Sequence, residues 1–402
     1  MKKSLFCLFL LFCLTVTLLC GCTPTPSPAD TISSKPESLE TTDNPAAESA
    51  PESVPEEDSS SAEEETISPP KPEELPLLLT EEGMIWGSSY RTSYSIIDAP
   101  ERYSPGTQAD LEVWLSLLKT WELSSLEVYL PADAAGSDSQ TALPLSVTTA
   151  NALFYALRNA EFLPASPAAV LSSTAEEVFI GINPNGGYTF FLSLHEQYAA
   201  VYFYTFSEKA FYEHFFFFEM NHFDREAMRE QIANDIHAAK TASPIITQPG
   251  TFYDGSAILP LVGSERTLLA TQEKLDLLNE YIRSDRVARI DVYTGPSSQS
   301  VTLPLSADIA DIIWHLFAKT ELLLHDTLES VATGGGTTLV AYDAEGNLLF
   351  TASIGDYFFV TFAEDPSITC FFTTTNGQLT STRIQSILYK LLENDHGQDF
   401  DQ

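Results

Sequence analysis

The sequence predicts an α+β fold built from two tandem copies of one unit, each a mostly antiparallel sheet with helices packed on one face. Three observations predict it. Sequence blocks recur in the same order in two halves of the chain. Each half opens with helically spaced apolar residues and then passes to strand-like runs. Those runs are joined by short turns rather than by helices. Leu126-Glu127-Val128-Tyr129 returns 164 positions on as Ile290-Asp291-Val292-Tyr293, and Thr107-Gln108 before Leu111 returns as Thr271-Gln272 before Leu275. Leu143-Pro144-Leu145-Ser146 returns 160 positions on as Leu303-Pro304-Leu305-Ser306. Thr205-Phe206 with Glu208 returns 156 on as Thr361-Phe362 with Glu364. A shift that falls by four twice, each time between strands, is what loop trimming after a duplication produces.

Within a copy the elements follow in order. A helix opens at a threonine cap, its buried stripe carried by Leu111, Trp114 and Leu118 in one copy and by Leu275, Leu278 and Ile282 in the other. An alternating strand follows at Leu126-Val128-Leu130 and Ile290-Val292. A small-residue turn then leads into a short strand ending at Leu-Pro-Leu-Ser, whose serine stands where a second helix begins. Ala150, Leu153, Phe154 and Leu157 form the apolar face of that helix, repeated by Ala310, Ile313, Trp314 and Phe317. A meander comes next. Its first hairpin turns at Asn183-Pro184-Asn185-Gly186 and at Asp343-Ala344-Glu345-Gly346-Asn347, where glycine supplies a positive φ at low steric cost. A last helix carries Met228, Ile232 and Ile236, or Ile384, Leu388 and Leu392. The expected order per copy is α-β-β-α-β-β-β-β-α, with copy one over 77–241 and copy two over 242–402. About 160 residues per copy is enough for an independent core.

Ahead of the copies lie two segments of other character. Lys2 and Lys3 followed by an apolar run to Leu19 have the make-up of a signal peptide, too short to span a bilayer. Residues 22–76 are Pro, Ser, Thr, Glu and Ala with almost no large apolar side chains, a composition that predicts a disordered, extended tether. The net charge of −36 is shared by tether and copies. It excludes nucleic acid as a partner, since phosphate binding needs clustered Lys and Arg.

Candidate chemistry is sparse. His214 and His222 flank the run Phe215 to Phe218 without an acidic residue at ligand spacing, and they read as structural. His195-Glu196 falls in a turn and reads as solvent-exposed; His237 and His315 read as helix-surface residues. No histidine of one copy meets a histidine in the other: His214 aligns with Cys370, His222 with Gln378 and His315 with Tyr155. Thr333-Gly334-Gly335-Gly336 leads into a strand rather than a helix, so it lacks the N–H donors of a phosphate loop. The Asp343–Asn347 turn lacks the downstream glutamate of a calcium loop. No catalytic, cofactor or metal residue is assigned, and the chain is expected not to be an enzyme. The phenylalanine run places aromatics on both faces of one strand, which predicts cover on both sides, the alternative being an exposed binding patch.

Leu19-Cys20-Gly21-Cys22 resembles the lipobox of bacterial secreted lipoproteins. With the acidic tether and the small α+β copies, the whole layout resembles Gram-positive surface lipoproteins of unknown function. The resemblance implies removal of residues 1–21, lipid attachment at Cys22, and display on the outer face of the cell membrane through that anchor. Cys370 would then be the one cysteine left in the body, unable to pair within it, and it reads as a buried small side chain. The expected role is a non-catalytic binding or accessory module that meets an envelope protein or glycan through the groove between the copies or an exposed sheet. A substrate-capture lipoprotein for a transporter and a hydrolase with a dispersed site are the alternatives.

Overall fold

The computed structural model describes residues 77–93, 99–131, 134, 140–171, 174–207, 210–221, 223–255, 266–295, 301–326, 336–355, 357–374 and 381–397. The segments read as a leader and a tether, with Cys22, and also His222 and residues 333–335, lie outside the described residues. The described chain is α+β, with six helices and two mixed sheets of nine strands each. The first half runs β1 (Gly83–Trp86), β2 (Ser104–Pro105), α1 (Gln108–Thr120), β3 (Ser125–Tyr129), β4 (Ala142–Leu145), α2 (Val147–Asn159), β5 (Glu161–Pro164), β6 (Glu177–Ile182), β7 (Tyr188–Leu194), β8 (Tyr198–Ser207), β9 (Ala210–Asn221) and α3 (Arg225–Thr241). The second half repeats the series as β10 (Gly250–Asp254), β11 (Arg266–Leu269), α4 (Gln272–Arg283), β12 (Arg289–Thr294), β13 (Val301–Leu305), α5 (Ala307–Ala318), β14 (Leu322–Leu324), β15 (Thr337–Tyr342), β16 (Leu348–Ile354), β17 (Phe358–Phe362), β18 (Ile368–Thr374) and α6 (Ser381–His396).

Both sheets have one order. In the first it is β2-β9-β8-β7-β6-β3-β1-β4 with β5 also on β9; in the second it is β11-β18-β17-β16-β15-β12-β10-β13 with β14 also on β18. Most pairs are antiparallel, but β1 with β3, β10 with β12, β2 with β9 and β11 with β18 are parallel. The order expected from sequence therefore lacks three strands in each half. Two of them, β1 and β10, lie inside the sheets. They are four and five residues long, too short for periodicity to reveal.

The added strands extend the repeat. Leu78-Leu79-Thr80 recurs as Ile245-Ile246-Thr247, and Gly83 as Gly250, at a shift of 167. Asn151 on α2 accepts from the amides of Leu78 and Leu79 at 2.6 and 2.9 Å; Asp311 on α5 accepts from those of Ile245 and Ile246 at 2.8 Å each. A Cβ on Gly83 would stand 1.7 Å from the Leu126 carbonyl oxygen, and one on Gly250 would stand 1.7 Å from that of Ile290. Only glycine lets the strand approach that closely.

Register corrects one match. Val201 faces Leu192 as Val360 faces Ala352, and Phe216 pairs with Val201 as Cys370 pairs with Val360. Tyr202-Phe203, not Thr205-Phe206, is thus the counterpart of Thr361-Phe362. Cys370 answers Phe216, and His214 answers Ile368, because the β8–β9 hairpin is longer than its partner.

Local signals fix the helix starts. Thr107, Ser146, Thr271 and Ser306 cap α1, α2, α4 and α5, each side chain accepting from the third amide on, and Thr107 with Asp110 completes a capping box. In each Leu-Pro-Leu-Ser the proline lies on an edge strand, where a missing N–H blocks further strand addition. Asn183 and Asp343 both close their hairpins by accepting backbone amides, ahead of Gly186 (φ 79°) and Gly346 (φ 83°).

One core lies between the first sheet and α1, α2 and α3, joining Trp114, Leu153 and Ile232 to Val128, Phe179 and Phe203. A second, larger core joins the helices and sheet of the second half to the opposite face of the first sheet, including Trp86, Tyr129, Val178 and Ile180. The halves share this core. The phenylalanine strand follows suit: Phe218 belongs to the first core and Phe217 to the second, at 0 and 1% exposure. Phe215 and Phe216 are half-buried, Phe215 beneath Tyr103 and the Arg102 guanidinium.

Candidate functional site

The seam between the halves is built on α6. Its apolar residues Ile384, Leu388 and Leu392 are fully buried. At the i, i+3 and i+7 spacing of one helix stripe, Arg383, Ser386 and Lys390 reach the first half instead. Arg383 donates to the Glu81 carboxylate and the Glu82 carbonyl. Ser386 bonds the Tyr188 hydroxyl at 2.7 Å. The Lys390 ammonium donates to Tyr129 Oη at 2.5 Å and to Glu127 Oε2 at 3.2 Å, and stands 4.3 Å from the Trp86 ring centroid and 5.2 Å from that of Tyr129. Trp86 Nε1 donates to the same Glu127 oxygen at 2.9 Å. The result is a cage of two aromatic rings and one carboxylate around an ammonium, with Lys390 and Glu127 4% and 3% exposed.

A second cluster flanks the cage. His315 on α5 bonds Glu82 at 2.7 Å, and Lys319 lies 3.5 Å from that carboxylate. Burial alone would raise the Glu82 carboxyl, but the hydrogen bond from His315 and the Lys319 ammonium hold it below its ordinary value. Glu81 differs: burial outweighs the Arg383 guanidinium and pushes it up to about 7. Beside the seam a cleft of about 660 Å³ is lined by Tyr90, Leu143, Ile245, Asp308, Ile312 and Leu391, among others.

The second sheet carries the same cage positions with no described helix on them. Tyr253 and Tyr293 replace Trp86 and Tyr129 as a cross-strand pair, their rings stacked at 4.4 Å and 17°. Asp291 replaces Glu127; it is 5% exposed and accepts from the Thr251 amide at 2.9 Å. Burial raises its carboxyl. Arg289 pairs with that carboxylate, donating to Asp291 Oδ2 at 3.5 Å, and lies over the Tyr342 ring at 3.9 Å. Across the same face run the hydroxyl pairs Thr338–Ser353 and Thr361–Thr369, both at 2.8 Å. Where the first sheet has Val178 and Ile180 beneath the second half, this one has Thr338 and Val340.

The described histidines do not converge. His195 is buried at 3% exposure rather than solvent-exposed, because its turn folds under α3, whose Arg225 donates to the His195 carbonyl; Glu196 beside it is exposed. His214 bonds Thr205 and stacks on Phe203. His237 is exposed on α3. Cys370 is buried and free, its thiol raised by burial. Among the described residues no group of three or more His, Cys, Asp and Glu stands where it could hold a metal ion, and no helix is long and apolar enough to cross a membrane. The residues that matter at the seam, Trp86, Glu127, Tyr129 and Lys390, carried one sequence signal: an acidic residue recurring inside an apolar strand, as Glu127 and Asp291.

No protein-family model matches the chain, and no curated protein or solved structure shows significant similarity to it.

Proposed function

We propose that this chain is a lipid-anchored, non-catalytic binding module on the outer face of a bacterial membrane, attached through Cys22 and lifted off the bilayer by residues 22–76. Its two halves are read as copies of one ancestral unit. The observation that carries the binding role is the asymmetry of the sheets. The first has its second face covered by α6, whereas the second keeps the corresponding tyrosines and carboxylate on a face no described helix covers. Two stacked, half-exposed tyrosines suit a protein or glycan of the envelope.

The test is site-specific photo-crosslinking in intact cells. A photoreactive residue at Tyr293 should capture an envelope partner that the same residue at His237 does not. Equal capture at both positions, or none at Tyr293, overturns the reading. The anchor is tested apart from it: labelled fatty acid should enter the wild type and not Cys22→Ala. The cleft beside the seam favours small-ligand capture as a second reading, and a ligand that protects Tyr90 and Ile312 but not Tyr293 from footprinting would select it.

A further inference from the structure

The ion pairs that join the halves are one-sided. Among the described residues, each pair crossing the seam has its carboxylate in the first half, on Glu81, Glu82 or Glu127, and its base in the second, on His315, Lys319, Arg383 or Lys390. Glu81 is the least satisfied of the three acids. Its side chain is 5% exposed; Oε2 takes the Arg383 guanidinium, whereas Oε1 is buried and makes no hydrogen bond. An ionised carboxylate is costly where one oxygen has neither water nor a donor. A neutral carboxyl can keep its proton on Oε1 and still accept from Arg383 through Oε2. A cavity of about 350 Å³ borders the pair, lined by Thr80, Glu81, Glu82, Lys319, Glu321 and Arg383 among others, and it is wide enough to admit water.

We propose that the seam is a proton-operated joint: Glu81 takes up a proton as the halves close on each other and releases it to water as they part, so acid tightens the seam and base loosens it. The inference goes beyond the binding-module reading and does not depend on it. Burial pushes the Glu81 carboxyl up to about 7, further than Arg383 on α6 and Ser124 ahead of β3 pull it down. Of the other charged groups around it, His315 and Lys319 of α5 and its end are engaged by Glu82, and Glu321 brings a like charge to the same cavity. When the halves part, Glu81 meets water and returns to its ordinary 4.5. Its contribution to closure is therefore complete below about pH 4.5 and is lost as pH rises through 7. With those two values, opening is favoured about 10-fold more at pH 8 than at pH 6. Opening uncovers the rings of Trp86 and Tyr129, on which Lys390 rests.

The test traps the open seam. In the full chain, Ser386→Cys places a thiol in the seam opposite Tyr188. Labelling by iodoacetamide is followed peptide by peptide by mass spectrometry, each rate divided by that of a free thiol peptide at the same pH. The normalised rate at position 386 should rise about 10-fold from pH 6 to pH 8. It should also exceed, by at least 10-fold, the rate at the buried Cys370, which reports opening of the second half's own core. Glu81→Gln keeps an acceptor for Arg383 but cannot ionise, and should cut the rise to less than 2-fold. His315→Gln removes the histidine of the seam and should leave the rise at 5-fold or more. A rate at position 386 that is flat with pH overturns the proposal without any change at Glu81. A rise undiminished by Glu81→Gln, or abolished by His315→Gln, overturns it too. Equal trapping at position 386 and Cys370 would mean that the seam opens only when the chain unfolds, and would likewise end it.

Discussion

Asn151 and Asp311 perform one task 160 positions apart: each side-chain oxygen accepts two consecutive amides of the segment that leads into β1 or β10. Removing the acceptor strands two partly buried N–H groups, so Asn151→Ala and Asp311→Ala should each cost about 2–4 kcal/mol. The conservative exchanges are not symmetric. Asn151 also donates to the Leu79 and Val147 carbonyls, so Asn151→Asp loses donors that Asp311→Asn does not. Urea denaturation should find Asp311→Asn within about 1 kcal/mol of wild type and Asn151→Asp well beyond it.

Gly83→Ala and Gly250→Ala should each destabilise by roughly 3 kcal/mol or more, because the new methyl meets a strand carbonyl that cannot withdraw without breaking the pairing. A midpoint unchanged in either variant would show that the strands can separate freely.

The Lys390–Glu127 pair allows a double-mutant cycle. Lys390→Met leaves a buried carboxylate without its cation and should cost about 3–5 kcal/mol. Adding Glu127→Gln should recover most of that loss, since the neutral side chain can still accept from Trp86. If the double variant is no more stable than Lys390→Met, the pair is not the seam's coupling element.

Protonation of Glu81 gives the seam a pH dependence. Its folded value of about 7 lies above the ordinary 4.5, so the folded state keeps a proton that the unfolded chain releases. That contribution is complete below about pH 4.5 and is lost as pH rises through 7, an effect of about 3 kcal/mol. Glu82, held low, acts in the opposite sense and loses its contribution as pH falls below its ordinary value. Thermal unfolding from pH 4.5 to 7.5 should show Glu81→Gln flattening the decline; an unaltered profile would assign that decline to another group.

Much of the fold was legible. Thr107, Ser146, Thr271 and Ser306 announced four helix starts because capping is a local interaction, and Asn183 and Asp343 announced their hairpins for the same reason. The short inner strands β1 and β10 were not legible from periodicity, though Leu78-Leu79-Thr80 and Ile245-Ile246-Thr247 would have exposed them as a repeat. The β8–β9 register was misplaced because Thr205-Phe206 matches Thr361-Phe362 at both positions and Tyr202-Phe203 at only one, so sequence favoured the wrong pair and only cross-strand pairing reveals the right one. Of the cage, only the acidic residue recurring as Glu127 and Asp291 left a sequence signal. Trp86, Glu127 and Lys390 are scattered along the chain, and nothing local in Lys390 distinguishes it from a solvated helix lysine.

The dependence of the first sheet on α6 has a consequence in time. Elongation completes α3 at Thr241, and α6 begins only at Ser381, 140 residues later. At about 5–20 residues per second, that is roughly 7–28 s of synthesis. Throughout that interval the face carrying Trp86, Tyr129 and Ile180 has no helix to rest on, and an exposed apolar sheet is prone to aggregate. A nascent chain of this protein needs shelter longest on its earliest-made domain, and a premature stop before Ser381 would yield a product whose first half never buries that face.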